Sequence, residues 1–504
     1  MKKKLFSLVV VSVMLVSIFA GCADSESESE TAADRDTIRL AFFTDFTLFD
    51  PMNSGMMLDR ALCDNIFERL LFFHDGEFEN VLAEDVSVTP DGLSYHVRLK
   101  QGVRFHNGER FTAHCVAFSM YRAQDSVFFG NVTTPITYVE IHDDYNLTIH
   151  LSSPSVPFLQ AVIAGVHIMN ERAVTEAGDN VGFQPVGTGP YKFVSFEPGQ
   201  SVTLIANDDW HRGEVPIRLA IVMILTDPSS SLMAVEAGDI DLTFSIPPIE
   251  ATRLEASDHV NFRRNPTTGS GFINFNLERA PFDCLYFRLA FAHAINRDDI
   301  VDIGMEGMAV HSGGIWDYRF EGSSGGLFPP PEYNMELARY FLEKSSFDGR
   351  TLVFISGMEE YRRIMMLVQE QMRLLGVNVE LEMMENNAWV AQMRSGDFDI
   401  STVVFTYDLD VDHWSNYFHS SAIGHFGFSR LNRPEVDDAF DRGRTILDRE
   451  ERIRVYSVAE QIIHEEVKVI PIYFRVVPMV YHRDLVVSRA QQNGIAHIVD
   501  MSWR

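Results

Sequence analysis

The sequence predicts an α/β protein with two or more lobes, on three observations. Its 504 residues exceed the roughly 250–300 residues at which a single hydrophobic core stops growing. Hydrophobic residues make up 46% and charged residues 22% of the chain, which is typical of globular domains and excludes disorder over most of its length. Residues 350–406 alternate between strand and helix patterns, which favours a parallel sheet with helical crossovers.

That alternating stretch is the most informative part of the chain. The predicted order is a strand, a helix ended by Gly376, a strand, a helix capped by Asn387 and ended by Gly396, and a last strand. The predicted elements span Thr351–Ser356, Tyr361–Leu375, Val377–Met383, Trp389–Met393 and Ile400–Thr406. Ligands of such sheets bind beyond the carboxyl ends of the strands, which here follow residues 356 and 406.

The preceding residues predict two further regions. Residues 52–185 indicate a small α+β unit, with a helix followed by short strands and Asp-Gly or Asn-Gly turns. Its elements are the helix Leu58–Leu71, the strands Leu93–Leu99, Tyr138–His142 and Leu147–Leu151, and the turns Asp91-Gly92 and Asn107-Gly108. Outside this unit, Ile38–Phe43, Ser201–Ala206 and Arg218–Leu225 are strand-like, and Ser229–Ala237 is a helix ended by Gly238.

The N-terminus has the pattern of a processed export signal. Three lysines precede the apolar run Leu5–Phe19, and Ala20-Gly21-Cys22 follows. This resembles a bacterial lipobox, which implies cleavage before Cys22 and a lipid on its sulfur; an uncleaved anchor is the alternative. We therefore assign residues 1–21 to a signal peptide and 22–35, rich in serine and glutamate, to a solvated tether.

Charge and cysteine content exclude some functions. A formal net charge of −29 argues against nucleic acid as a partner, because phosphate binding requires clustered lysine and arginine. With Cys22 lipidated, Cys63, Cys115 and Cys284 remain, an odd number without a CxxC motif. We expect buried free thiols, with a Cys63–Cys115 disulfide as the alternative.

Five motifs occur in a characteristic order along the chain. They are Gly92–Tyr95 with Leu99–Ala113, Pro185–Tyr191, Phe275-Asn276 with Pro281–Asp283 and Arg288–Arg297, Gly396–Asp399, and Pro434–Asp437. Together they resemble the extracellular solute-binding proteins of the oligopeptide, dipeptide and nickel class, which serve ABC importers, and the similarity covers essentially the whole mature chain.

The resemblance implies a type II periplasmic-binding-protein fold, with two α/β lobes, a two-strand hinge and an extra α+β domain on the first lobe. The ligand is enclosed when the lobes close. The first lobe would comprise residues 36–51, 186–262 and 476–504, the extra domain 52–185, and the second lobe 263–475. Hinge crossings are expected near Phe262–Pro266 and Arg475–Pro478.

A zwitterionic peptide needs a carboxylate for its ammonium group and a cation for its carboxylate, and arginine binds carboxylates bidentately. Arg363 and Asp408 follow strands that end at one sheet edge, and Asp408 matches the family's ligand-binding aspartate. The loop is about two residues longer than the family pattern, so Asp410 is an alternative to Asp408, and Arg362 competes with Arg363. Three aromatic residues are candidates for stacking on ligand side chains or for core packing: Phe405, Tyr407 and Trp414.

Other functions remain open. A nickel or metal-chelate carrier of the same family is the first alternative, since the segment 408–425 contains Asp408, Asp410, Asp412, His413, His419 and His425. An extracellular peptide-signal receptor without import is the second. No GxSxG or P-loop motif indicates an enzyme, and no cofactor is expected. The expected partners are a small peptide and the permease subunits of an ABC importer, and we expect a monomer.

Overall fold

The computed structural model describes residues 36–54, 57–74, 77–126, 128–406, 410–490 and 494–504. The strands are β1 (Thr37–Phe42), β2 (Leu71–His74), β3 (Glu77–Asn80), β4 (Ala83–Val88), β5 (Ser94–Leu99), β6 (Ile136–Asp143), β7 (Asn146–Leu151), β8 (Tyr191–Glu197), β9 (Ser201–Ala206), β10 (Leu219–Ile224), β11 (Leu242–Thr243), β12 (Val260–Phe275), β13 (Ala309–His311), β14 (Leu352–Ser356), β15 (Val379–Met383), β16 (Ile400–Thr406), β17 (Val469–His482), β18 (Leu485–Val487) and β19 (Met501–Trp503).

The α-helices are α1 (Met57–Ile66), α2 (Ala113–Gln124), α3 (Gly130–Thr133), α4 (Glu171–Ala177), α5 (Pro228–Ala237), α6 (Ala251–Glu255), α7 (Leu285–Ala294), α8 (Arg297–Asp299), α9 (Met335–Lys344), α10 (Arg362–Leu375), α11 (Asn386–Ser395), α12 (Ser415–Phe418), α13 (Pro434–Gly443) and α14 (Arg449–Glu465). Among the described residues, no helix is both long and apolar enough to cross a bilayer.

One large sheet runs through the molecule, in the order β15-β14-β16-β12-β17-β11-β1-β10-β9-β8, with β13 paired to β17. Its two central strands, β12 and β17, are antiparallel neighbours and are long enough to belong to both halves of the sheet. Their register shifts between the pairs Pro266–Val476 and Ser270–Phe474. This irregularity lies close to the expected hinge crossings; the domain boundaries themselves stay a prediction.

The second half of the sheet confirms the predicted alternation. Strand β14 pairs in parallel with both β15 and β16. Helix α10 buries Ile364, Val368 and Met372 against this sheet, and it ends at Gly376, whose φ of 92° is the left-handed conformation of a helix C-terminus. The cap of α11 was predicted wrongly. Glu385, not Asn387, accepts the first free backbone N–H groups, since the helix begins earlier than its hydrophobic residues indicate.

The region 52–185 contains a separate four-stranded sheet, in the order β4-β5-β7-β6. Gly92 and Gly108 adopt positive φ in the predicted turns. Cys63 and Cys115 are buried and free, as predicted, and no disulfide joins them. Cys284 is also free but only partly buried, because it precedes α7 near the surface, so its predicted burial was wrong.

Candidate functional site

The carboxyl edge of β14 and β16 holds an apolar pocket of about 130 Å³. The edge is formed by the residues that follow β14, by the end of β16 and by the start of α11. The lining residues are Ser356, Gly357, Met358, Tyr361, Trp389, Val390, Thr402, Val403, Val404, Phe405, Phe426 and Phe428. The pocket therefore lies where ligands bind in parallel sheets.

Phe405 is the predicted ligand-contacting residue that lies in this pocket. Its ring centroid is 5.0 Å from that of Tyr417, 6.0 Å from Phe428 and 6.1 Å from Phe426. These distances are typical of packed aromatic clusters. Phe405 is only partly buried, so it joins the core to the pocket surface.

Arg363 lies in the first turn of α10 but does not line the pocket. Its guanidinium forms an ion pair with Glu306, and 60% of its side chain is exposed. Glu306 has a positive φ of 48° and lies in a turn whose Met308 carbonyl accepts the N–H of Val476 in β17 at 3.2 Å. Arg363 therefore lies near β17, and its guanidinium is already paired with the carboxylate of Glu306. Arg362 pairs with Glu359 on the surface.

The predicted anionic pole falls largely outside the described residues. Tyr407 and Asp408 lie outside the described residues. The chain is described again from Asp410, which is buried and accepts a hydrogen bond from Arg452 Nη2 at 2.7 Å and from the Asp412 N–H at 2.8 Å. Burial raises the pKa of Asp410, and the charge of Arg452 opposes that rise. This geometry gives Asp410 an internal anchoring role for the loop.

Trp414 is fully buried. It packs among Phe272, Tyr417 and Phe418, with centroid distances of 5.5 to 6.4 Å. Of the two interpretations of this aromatic residue, the geometry favours core packing. Its loop is polar in sequence, but the loop turns inward because Asp410 is anchored on Arg452.

The irregular part of β12 carries a contact that sequence reasoning missed. Arg319 donates from Nη2 to the Thr267 carbonyl at 2.9 Å and forms a bidentate pair with Asp317 at 2.8 and 2.6 Å. Thr267 lies in the irregular part of β12. Arg319 thereby holds the segment 312–328 to the irregular part of β12. An Asp-x-Arg spacing gives too weak a signal to find such a contact.

The histidines of the nickel alternative are dispersed. His413 is buried, and His419 faces Asp437 and Asp441 at 3.9 and 3.6 Å. Among the residues that the structure describes, no group of three or more histidine, cysteine, aspartate or glutamate side chains is arranged to hold a metal ion. Asp408 lies outside the described residues, so this finding does not extend to it.

Two sheet halves joined by a pair of long shared strands, with a pocket at a carboxyl edge, define a two-lobed ligand-binding protein. The family model "Bacterial extracellular solute-binding proteins, family 5 Middle" matches residues 77–424. The chain belongs to this family, whose members are solute-binding proteins that act outside the cytoplasm and are not enzymes.

Curated relatives and solved structures agree with this assignment. A glutathione-binding protein of Pectobacterium atrosepticum, GsiB, is 24% identical over 487 residues, covering 90% of this chain and 92% of the relative. The periplasmic binding protein DppA of Helicobacter pylori, solved with the peptide STSA, has a TM-score of 0.83 at 21% identity and covers 93% of this chain and 98% of its own. NikZ of Campylobacter jejuni, solved with Ni(L-His), has a TM-score of 0.82 at 21% identity, with coverages of 93% and 99%. These structures confirm the type II fold.

Proposed function

We propose that this chain captures small peptides between its lobes and delivers them to the permease of an ABC importer. The observation that carries the proposal is the pocket at the carboxyl edge of β14 and β16. Its lining residues Tyr361 and Phe405 directly precede the two segments that carry the predicted charged poles. DppA of Helicobacter pylori, which has the same fold, was solved with the peptide STSA, and the curated relative GsiB is a glutathione-binding protein.

In this proposal Arg363 receives the carboxylate of the ligand and Asp408 its ammonium group. The ion pair between Arg363 and Glu306 supports the first role, because Glu306 supplies the same chemical group that a peptide carboxylate would supply. A ligand carboxylate therefore competes with Glu306 for the guanidinium. Exchanging Glu306 for the ligand carboxylate costs little free energy, because the guanidinium of Arg363 is paired with a carboxylate both before and after binding.

Titration calorimetry with a defined tripeptide tests the poles. We expect Arg363→Ala to weaken binding by about thirtyfold or more, and Glu306→Gln to strengthen it by removing the competitor. Arg362→Ala is the matched control, since it removes another largely exposed arginine one position away. If Arg362→Ala is the damaging change, the cationic pole is Arg362. If Asp408→Asn leaves affinity unchanged, the anionic pole is not Asp408.

The ligand class is tested by native mass spectrometry of protein purified without denaturation. A co-purified mass that matches a peptide supports the proposal. Glutathione, or nickel bound only together with free histidine, would instead match the ligands of the relatives named above. A strain that lacks the protein but still imports the bound peptide would favour a signal receptor over a transporter component.

We also propose that Cys22 carries a lipid that anchors the protein at the outer face of the membrane. The apolar run before Ala20-Gly21-Cys22 supports this. A detergent phase-separation experiment tests it. The parent protein is expected in the detergent phase and Cys22→Ser in the aqueous phase, and identical partitioning of the two would contradict the anchor.

A further inference from the structure

The pocket at the carboxyl edge of β14 and β16 has a composition that is unusual for a site that binds charged peptides. Ten of its twelve lining residues are apolar, aromatic (including Tyr361 with its phenol) or glycine, and the other two are Ser356 and Thr402. These two hydroxyls lie 3.3 Å apart and hydrogen-bond to each other. Their hydrogen-bonding capacity is partly used within the protein, so the pocket offers little to a charged or strongly polar group.

The walls of the pocket are fixed by contacts behind them. The indole N–H of Trp389 donates to Ser401 Oγ at 2.9 Å. The backbone of Gly357 approaches so closely that a Cβ there would lie 2.9 Å from the Trp389 Cβ. On the opposite side, Phe405 packs against Phe426 and Phe428. A rigid cavity binds an apolar group without first having to be ordered, and this favours affinity.

Size narrows the choice of occupant. The cavity holds about 130 Å³, and an apolar cavity of about 150 Å³ accommodates a benzene molecule. A phenyl ring or a branched or thioether aliphatic chain therefore fits, whereas a methyl group leaves most of the space unfilled. An indole is too large without rearrangement of the walls.

We infer that this pocket receives one bulky apolar side chain of the ligand, so that the protein prefers peptides that contain leucine, methionine or phenylalanine. This rests on the proposed peptide-binding function and narrows it to a substrate class. The preference also separates this chain from a glutathione binder, because glutathione offers no large apolar side chain to fill the cavity.

The test uses the full mature chain and four peptides: trialanine and the three tripeptides in which leucine replaces one alanine. We expect one leucine position to raise affinity by at least about tenfold over trialanine, as for added methylene groups in an apolar pocket. Val390→Phe, which fills the cavity from α11, should reduce that peptide to the affinity that trialanine has for the same variant. Ala391→Phe places the same ring on the same helix at an exposed position outside the pocket and should change neither affinity.

A second variant keeps the test decisive if Val390→Phe folds poorly. Phe426→Ala enlarges the cavity, and it should raise the affinity of a fifth peptide, in which tryptophan replaces the preferred leucine, relative to the leucine peptide. If leucine and alanine peptides bind equally to the parent, and neither variant alters their ratio, the pocket does not receive a side chain, while peptide binding itself stands. If no peptide binds at all, the proposed function fails and the inference fails with it.

Discussion

At the scale of single residues, the most consequential group is the buried ion pair between Asp410 and Arg452. Each side chain is almost fully buried, and Arg452 also donates to the Gly443 carbonyl at 2.9 Å. Removing one partner of such a pair leaves an uncompensated charge in the interior, which costs about 3–5 kcal/mol. The pair holds the chain in the core at Asp410, where the described structure resumes after residue 406.

We therefore expect Arg452→Met to lower the free energy of unfolding by about 3–5 kcal/mol at pH 7. The loss should shrink in acid, because Asp410 then becomes protonated and its burial costs less. Urea denaturation measures both effects. Arg449→Met is the control, since its pair with Glu321 is exposed and such pairs contribute at most about 1 kcal/mol. Equal urea midpoints for the two variants would show that the buried pair contributes no more to stability than the exposed pair.

Glu460 is a second residue whose burial has a measurable consequence. Burial raises its pKa to about 7, and the N–H and hydroxyl of Ser324, which face the carboxyl group, offset part of that rise. Within the described residues neither carboxyl oxygen has a hydrogen-bond partner of ordinary geometry. The side chain is 1% exposed, so the folded protein retains a proton that an unfolded glutamate releases near pH 4.5.

This difference makes stability fall as pH rises from about 4.5 to 7, and the loss is complete above pH 7. Glu460→Gln removes the titrating group. Across that window we expect the free energy of unfolding of the variant to rise relative to that of the parent, by about 3 kcal/mol at the upper end. Urea denaturation at a series of pH values measures this difference. A constant difference between the two proteins from pH 4 to 8 would mean that the pKa of Glu460 in the folded protein is not raised above that in the unfolded chain.

At the scale of elements, the sequence predicted what periodicity and end signals encode. The order and parallel pairing of β14, α10, β15, α11 and β16 follow from hydrophobic spacing and terminal glycines. Periodicity cannot show that β12 continues unbroken from Val260 to Phe275, because the residues around Thr267 are polar and small. It likewise cannot find the Asp410–Arg452 contact, which joins positions 42 residues apart, or predict that Trp414 turns inward.

Gly187 and Gly376 differ in whether their surroundings leave room for a side chain. A Cβ at Gly187 would collide with the carbonyl oxygen of Ile66 at the end of α1, whereas a Cβ at Gly376 meets nothing within 4 Å. We expect Gly376→Ala to cost only about 1 kcal/mol, from its left-handed backbone. Gly187→Ala should cost several times more, since backbone must move. Thermal unfolding of the two variants compares them, and equal melting temperatures would contradict the close approach.

At the scale of the whole molecule, the region 52–185 contacts the loop between α13 and α14, which is far along the chain from it. The Val156 N–H donates to the Arg444 carbonyl at 2.8 Å, and the Leu447 side chain packs over the backbone of Gly92. The guanidinium of Arg444 also donates to Asp412 Oδ1 and Ser415 Oγ, both at 3.2 Å. One residue therefore joins this contact to the loop that follows Asp408.

Such a contact stabilises the arrangement in which it forms, and any ligand enclosed by that arrangement should leave more slowly. We expect Leu447→Ser to raise the dissociation rate of a bound peptide by a few-fold, with a smaller change in the association rate, because affinity differences within one interface lie mostly in dissociation. Leu374→Ser removes a leucine of similar exposure from α10 and should leave both rates unchanged. Stopped-flow displacement measures the rates, and equal dissociation from the two variants would show that this contact does not hold the lobes around the ligand.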